Sequence, residues 1–174
     1  CETLQSSGGC LQLYNDNVML YVPEVAIAKN LQLPVTLMIL NDDSNRISTS
    51  TKDNLITCSA IIHCAPRNYN FLKPVILKIP HCLVDPARWT VNIYHADYEP
   101  KDVNIVWRNL IVVGQETINT PVFVQLDAEH VFLMTEQLGQ FVVVAEPKYQ
   151  VPLVPSIHMR LIAFSQQNPS SGNS

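Results

Sequence analysis

The chain has 174 residues, of which 47% are hydrophobic and 15% charged, and its formal net charge is −4. That length suits one ordinary domain, or one domain plus a fragment of a second, and the apolar content supports a buried core and argues against a disordered chain. The acidic balance, with Lys and Arg scattered, excludes the electrostatic footprint of a nucleic-acid binder and a basic membrane-surface patch.

Residues 1–10 are polar, and Ser6-Ser7-Gly8-Gly9 marks a turn. Leu11-Gln12-Leu13-Tyr14 is a short alternating run closed by Asn15-Asp16-Asn17. Val18–Val22 is apolar throughout and stops at Pro23, which predicts a strand covered on both faces. Residues 24–29 predict a single helical turn without a cap. A strand is expected over 35–40, and the stretch 41–54, dominated by Asn, Asp, Ser and Thr, reads as an exposed loop. Strand character resumes over 55–64 and ends at the turn Ala65-Pro66-Arg67-Asn68.

The stretch 71–82 reads Phe-Leu-Lys-Pro-Val-Ile-Leu-Lys-Ile-Pro-His-Cys. Proline has no N–H to give a ladder, so Pro74 and Pro80 should bracket a short strand over 75–79. Val75, Leu77 and Ile79 would point one way, and Ile76 and Lys78 the other. Further strands are expected over 89–94, 107–113, 119–126 and 130–134, and a wholly apolar one over 141–145. Many short strands with a turn signal about every 8–12 residues define an all-β fold, an antiparallel β-sandwich. Residues 1–147 form one domain in this reading. Residues 148–174 then hold a Pro-rich linker, a strand over 156–164 and a polar tail.

No run approaches the roughly 18 uninterrupted apolar residues of a membrane-spanning helix. Cys1-Glu2-Thr3-Leu4 lacks the basic and apolar regions of a signal peptide. The five cysteines have no framework spacing, and Asn168 precedes Pro169, which removes the only glycosylation acceptor. Both point to a reducing, intracellular setting.

Three constellations bear on chemistry. His63-Cys64 and His81-Cys82, with Cys58, supply zinc-type ligands. Adjacent strand residues face opposite sides, however, and no Cys-x-x-Cys occurs, so buried thiols are the simpler reading. No spacing singles out a catalytic Cys–His pair, and there is no nucleophile elbow or glycine-rich phosphate loop. No cofactor is expected. Asp127 and Glu129 flank Ala128 as a solvated acidic turn. Trp89, Trp107, Tyr94 and Tyr98 form either an aromatic binding surface or part of the core.

The stretch 71–82 also resembles the signature of the ZU-five domain, and the likeness runs from Gly8 to Glu146. It takes in Gly8-Gly9-Cys10-Leu11, then 18–27, and Cys64-Ala65-Pro66 where the family has Cys-Gly-Pro. Residues 126–131 and 138–141 resemble the closing strands of the netrin-receptor version. Val25 and Ala65 stand where the family prefers glycine, so two turns are expected to be built differently. Residues 156–164 resemble the first strand of a UPA domain, which a death domain follows in those receptors.

The resemblance implies a cytoplasmic module of a netrin-type axon-guidance and dependence receptor of the uncoordinated-5 type. Its role would be protein–protein interaction and autoinhibition controlling signalling and cell death, not catalysis. Implied partners are the UPA and death domains of the same chain and cytosolic signalling proteins, with no nucleic acid and no direct membrane contact. The alternative is a scaffold for a separate cytoskeletal or junctional partner, as in ankyrins or zonula occludens proteins. Val75, Leu77, Phe141 and Val143 are the candidate interdomain contacts, with plain sandwich core as the competing reading. A terminal strand lacking the rest of its sheet leaves an edge open to another copy. An autoproteolytic relative uses a serine two residues after a histidine. Here the histidines precede Cys64, Cys82, Ala96, Val131 and Met159, and none stands two residues before a serine.

Overall fold

The computed structural model describes residues 1–40, 55–96, 105–148 and 156–159. The expected loop at 41–54, Tyr98 and the strand residues beyond Met159 lie outside the described residues. In chain order the strands are β1 (Glu2–Leu4), β2 (Gly9–Leu13), β3 (Val18–Val22), β4 (Leu33–Leu40), β5 (Ile56–Thr57), β6 (Ile61–Ala65) and β7 (Asn70–Pro80). They continue with β8 (Leu83–Val84), β9 (Trp89–Ala96), β10 (Arg108–Val112), β11 (Val122–Leu126), β12 (His130–Gln137), β13 (Gln140–Pro147) and β14 (Ser156–Ile157). The described helical content is two short 3-10 turns, Tyr14–Asp16 and Pro86–Arg88.

Every described pairing is antiparallel. One sheet runs β1-β4-β6-β13-β9-β10, with β5 also bonded to β13, and the other runs β11-β12-β7-β3-β2. They pack as a sandwich around a shared apolar layer. Val18, Leu20, Val75, Leu77, Ile79, Val131 and Leu133 come from the five-stranded sheet, and Val35, Ile62, Val91, Ile93, Phe141 and Val143 from the other. The all-β sandwich read from strand spacing is the fold observed.

Strand β13 is buried on both faces, as its unbroken apolar run requires. Phe141 and Val143 face the inter-sheet core, whereas Val142 and Val144 lie under Leu40, Leu55, Tyr94 and Trp107 on the outside. Strand β3 differs from expectation, because its residues alternate and Tyr21 is exposed. Only one of its faces meets the other sheet.

Strand β7 is longer than its prolines predict and passes through Pro74. The ladder to β12 shifts register between Val75 and Asn70, so Pro74 falls where no N–H is demanded of it. Strand character over 55–64 is interrupted at Cys58-Ser59-Ala60, which separates β5 from β6. There the Ser59 hydroxyl accepts the Val143 N–H at 2.9 Å in place of a strand carbonyl. The described part of the final segment is short. Ser156 and Ile157 pair with Val84 and Leu83 of the same chain, so this stretch has a partnered edge.

Residues 24–29 form turns, not a helical turn. The Val25 N–H donates to Ser6 O at 2.7 Å, and Ala26 O accepts from Leu72 N at 2.9 Å, so these groups bond outward and not along a helix. Val25 has φ 65, while Ala65 lies in β6 without a positive φ. Of the two positions where the family prefers glycine, only Val25 retains the glycine-type backbone.

Two stability outcomes follow. Phe141→Ala empties a fully buried ring site and should lower the unfolding free energy by about 3–5 kcal/mol in a urea titration. A loss under about 1 kcal/mol would place the ring outside the core. Val25→Gly relieves about 1–2 kcal/mol of left-handed strain against roughly 0.5–1 kcal/mol of glycine entropy. The urea midpoint should therefore rise slightly, and a fall would show that valine is not strained there.

Candidate docking surface

Alternation along the five-stranded sheet places every second residue on a face turned away from the core. Cross-strand register aligns these residues into rows. Phe123 stands opposite Met134, Met134 opposite Ile76, Ile76 opposite Tyr21, and Tyr21 opposite Cys10. An apolar row thus crosses all five strands. Two residues along each strand, Gln125, Phe132, Lys78, Met19 and Gln12 form a second, mixed row.

Phe123 is 58% and Tyr21 42% exposed, with Ile76 and Met134 half-buried between them. Beside Phe123 the face continues into a groove of about 550 Å³, lined in part by Pro74, Ile118, Pro121, Met134 and Glu136. Ile118 is fully exposed. Main-chain ladders hold this platform, so it is presented without ordering a loop. Contiguous exposed apolar surface of this kind marks an interaction site more often than a scattered leucine does.

At the middle of the second row, Lys78 Nζ donates to Asn17 Oδ1 at 3.0 Å, and Asn17 Nδ2 lies 2.7 Å from His130 Nε2. Asp127 closes the β11–β12 hairpin by accepting the N–H groups of Glu129 and His130 at 2.8 and 2.6 Å. The Glu129 bond first among these holds the Asp127 carboxyl below its ordinary value. The Asp127 carboxylate is therefore a turn device.

The structure places Val75, Leu77, Phe141 and Val143 together, but inside the inter-sheet layer at 0–1% exposure. They cannot meet a partner while the domain is folded, because their strand face is the one the opposing sheet covers. The residues of β7 that alternate with them, Ile76 and Lys78, are the ones partly open to solvent. The signal for this face was present as the second half of the alternation. Its continuity across five strands depends on register, which one strand's sequence does not carry.

Among the aromatics, Trp89 is buried and its Nε1–H donates to Val84 O at 3.4 Å, while Tyr94 and Trp107 cover β13. Their described roles are in packing.

Among the described residues no group of three His, Cys, Asp or Glu gathers as metal ligands do. Cys64 is fully buried, and desolvation pushes its thiol up. Cys58 and Cys82 meet, and the Cys82 N–H donates to Cys58 O at 2.9 Å. The neighbouring Cys82 side chain, with burial added, pushes the Cys58 thiol up, and the Cys58 side chain in turn brings Cys82 down to about 7. His81 Nδ1 accepts the Leu83 N–H at 3.2 Å, and Nε2 donates to Asp127 O at 3.2 Å. Half-burial of the ring pushes its pKa down.

The protein is an all-β antiparallel sandwich in which the strand carrying the 71–82 motif is central to one sheet. Residues 1–97 match the ZU5 domain, and the chain belongs to that family. Over 170 residues, 98% of this chain, it is 55% identical to the netrin receptor unc-5 of Drosophila melanogaster. The chain spans 16% of that relative's length.

The His81 geometry gives a pH outcome. The folded imidazole resists protonation, so the unfolded chain takes the proton first as pH falls through the ordinary imidazole value near 6.5. Stability contributed by neutral His81 is present above that value and is lost between about pH 7 and 5. His81→Asn should flatten the urea midpoint over that window. An unchanged slope would assign the pH dependence to other groups.

Proposed function

We propose that this chain is the cytoplasmic interaction and autoinhibition module of a netrin-type guidance receptor, and not an enzyme. The observation that carries the docking role is the exposed apolar row Phe123–Met134–Ile76–Tyr21 on the outer sheet face. Similarity to a netrin receptor along nearly the whole chain supports the receptor setting. In this reading residues 1–147 are the ZU5 domain and 148–174 lead into a UPA-like domain, with a death domain beyond. Those downstream domains of the same chain cover the outer face and hold the receptor quiet. Release of that contact exposes the face to cytosolic signalling proteins, on the cytoplasmic side of a single-pass receptor. The absence of a histidine two residues ahead of any serine supports regulation without self-cleavage.

Calorimetric titration of the chain against the UPA and death-domain segment of its receptor tests this reading. Saturable binding is expected, with Phe123→Lys weakening it by roughly 10-fold or more, as loss of an aromatic anchor does. Phe123 is largely exposed, so the variant should keep the parent's circular dichroism and melting temperature. Binding that Phe123→Lys and Tyr21→Lys leave unchanged would remove the face from the clamp. No binding at all would favour a separate partner.

A further inference from the structure

Cys58 follows β5 in the seven-stranded sheet, where its N–H donates to Val143 O at 2.8 Å. Cys82 follows β7 in the five-stranded sheet. The Cys82 N–H bonds to Cys58 O at 2.9 Å, so main chains from the two sheets touch at this seam. The Cys58 thiol donates to Ile56 O at 3.5 Å, the two thiols lie close enough for each to shift the other's titration, and both are free. Cys58 is 3% exposed, whereas Cys82 is partly open to solvent. The seam is also where the final described segment joins, since the His158 N–H donates to Cys82 O at 2.6 Å and Ile157 pairs with Leu83.

We propose that Cys82 is an oxidation site resolved by Cys58, with a peroxide converting the pair into a reversible disulfide that ties the two sheets together. An oxidant from solvent reaches Cys82 and not its buried neighbour. The lowered Cys82 pKa puts a large share of it in the thiolate form near neutral pH, which is the nucleophilic form. The Cys82 thiolate attacks one peroxide oxygen, the O–O bond breaks, and the departing hydroxide takes a proton to become water. Cys82 is then a sulfenic acid. The Cys58 sulfur attacks the Cys82 sulfur, the S–O bond breaks, and the Cys58 proton leaves with that hydroxide as a second water. Two thiols and one hydrogen peroxide give one disulfide and two waters. A thiol reductant reverses the bond by exchange. Cys64 is sealed in the core, and Cys1 and Cys10 are exposed, so none of these has the same arrangement of an open thiol against a buried one.

The test uses the full chain with Cys1→Ser and Cys10→Ser, both at exposed positions, to remove competing surface thiols. The reduced protein is treated with hydrogen peroxide at neutral pH, then alkylated, digested and mapped by mass spectrometry. A Cys58–Cys82 crosslinked peptide that dithiothreitol reverses is expected. The oxidised chain should melt about 5–10 °C higher, because the crosslink restricts the unfolded chain. In Cys58→Ser added to that background, Cys82 should stop at the sulfenic acid and be trapped by dimedone. A crosslink to Cys64, a lower melting temperature on oxidation, or failure of dimedone to label Cys82 in the Cys58→Ser chain would each overturn the proposal.

Discussion

Strand β7 is bonded along both edges, to β12 from Val75 to Pro80 and to β3 from Ile76 to Lys78. This double pairing is the constraint on which the five-stranded sheet depends. With the main chain fixed on both sides, the strand cannot rotate, and Val75, Leu77 and Ile79 have one destination, the layer between the sheets. A slip of one residue would exchange them for Ile76 and Lys78 and place an ammonium group in the core. The same ladder that secures the core therefore fixes the composition of the opposite face.

The two sheets treat their outer faces differently. On the seven-stranded sheet, Tyr94 and Trp107 close over Val142 and Val144, so the apolar run of β13 is covered within the chain. On the five-stranded sheet, Tyr21 and Phe123 remain exposed at either side of Ile76 and Met134. The domain therefore hides one such face within itself and leaves the other open. The seam at Cys58 and Cys82 lies elsewhere, where β7 leaves the sheet and the segment at 156–159 attaches, so the apolar row and the thiol pair are separable by mutation.

Prolines and glycine substitutes show how local rules yielded to context. Pro74 reads as a strand terminator, yet β7 continues through it because a register shift in the β12 ladder removes the demand for its N–H. Val25 keeps φ 65 although valine disfavours it, and its N–H is held by Ser6 O and the next residue's carbonyl by Leu72 N. The unbroken apolar tract at 18–22 suggested burial on both sides, but Met19 and Tyr21 face outward. Hydrophobic side chains on an exposed face and on a covered face look alike in sequence.

Composition and strand spacing by themselves determined the all-β sandwich, and the literal match at 71–82 determined the family, since period-two alternation and motif identity are written along a single strand. The inward set Val75, Leu77 and Ile79 was legible for the same reason. Only the tertiary structure decided that Phe141 and Val143 join them as core and not as an interface, because burial depends on which sheet closes over a face. It also decided that Phe123, Met134, Ile76 and Tyr21, distant in sequence, form one row, and that Cys58 meets Cys82. Register between strands and packing between sheets set those neighbours, and neither is encoded within the reach of a single local pattern.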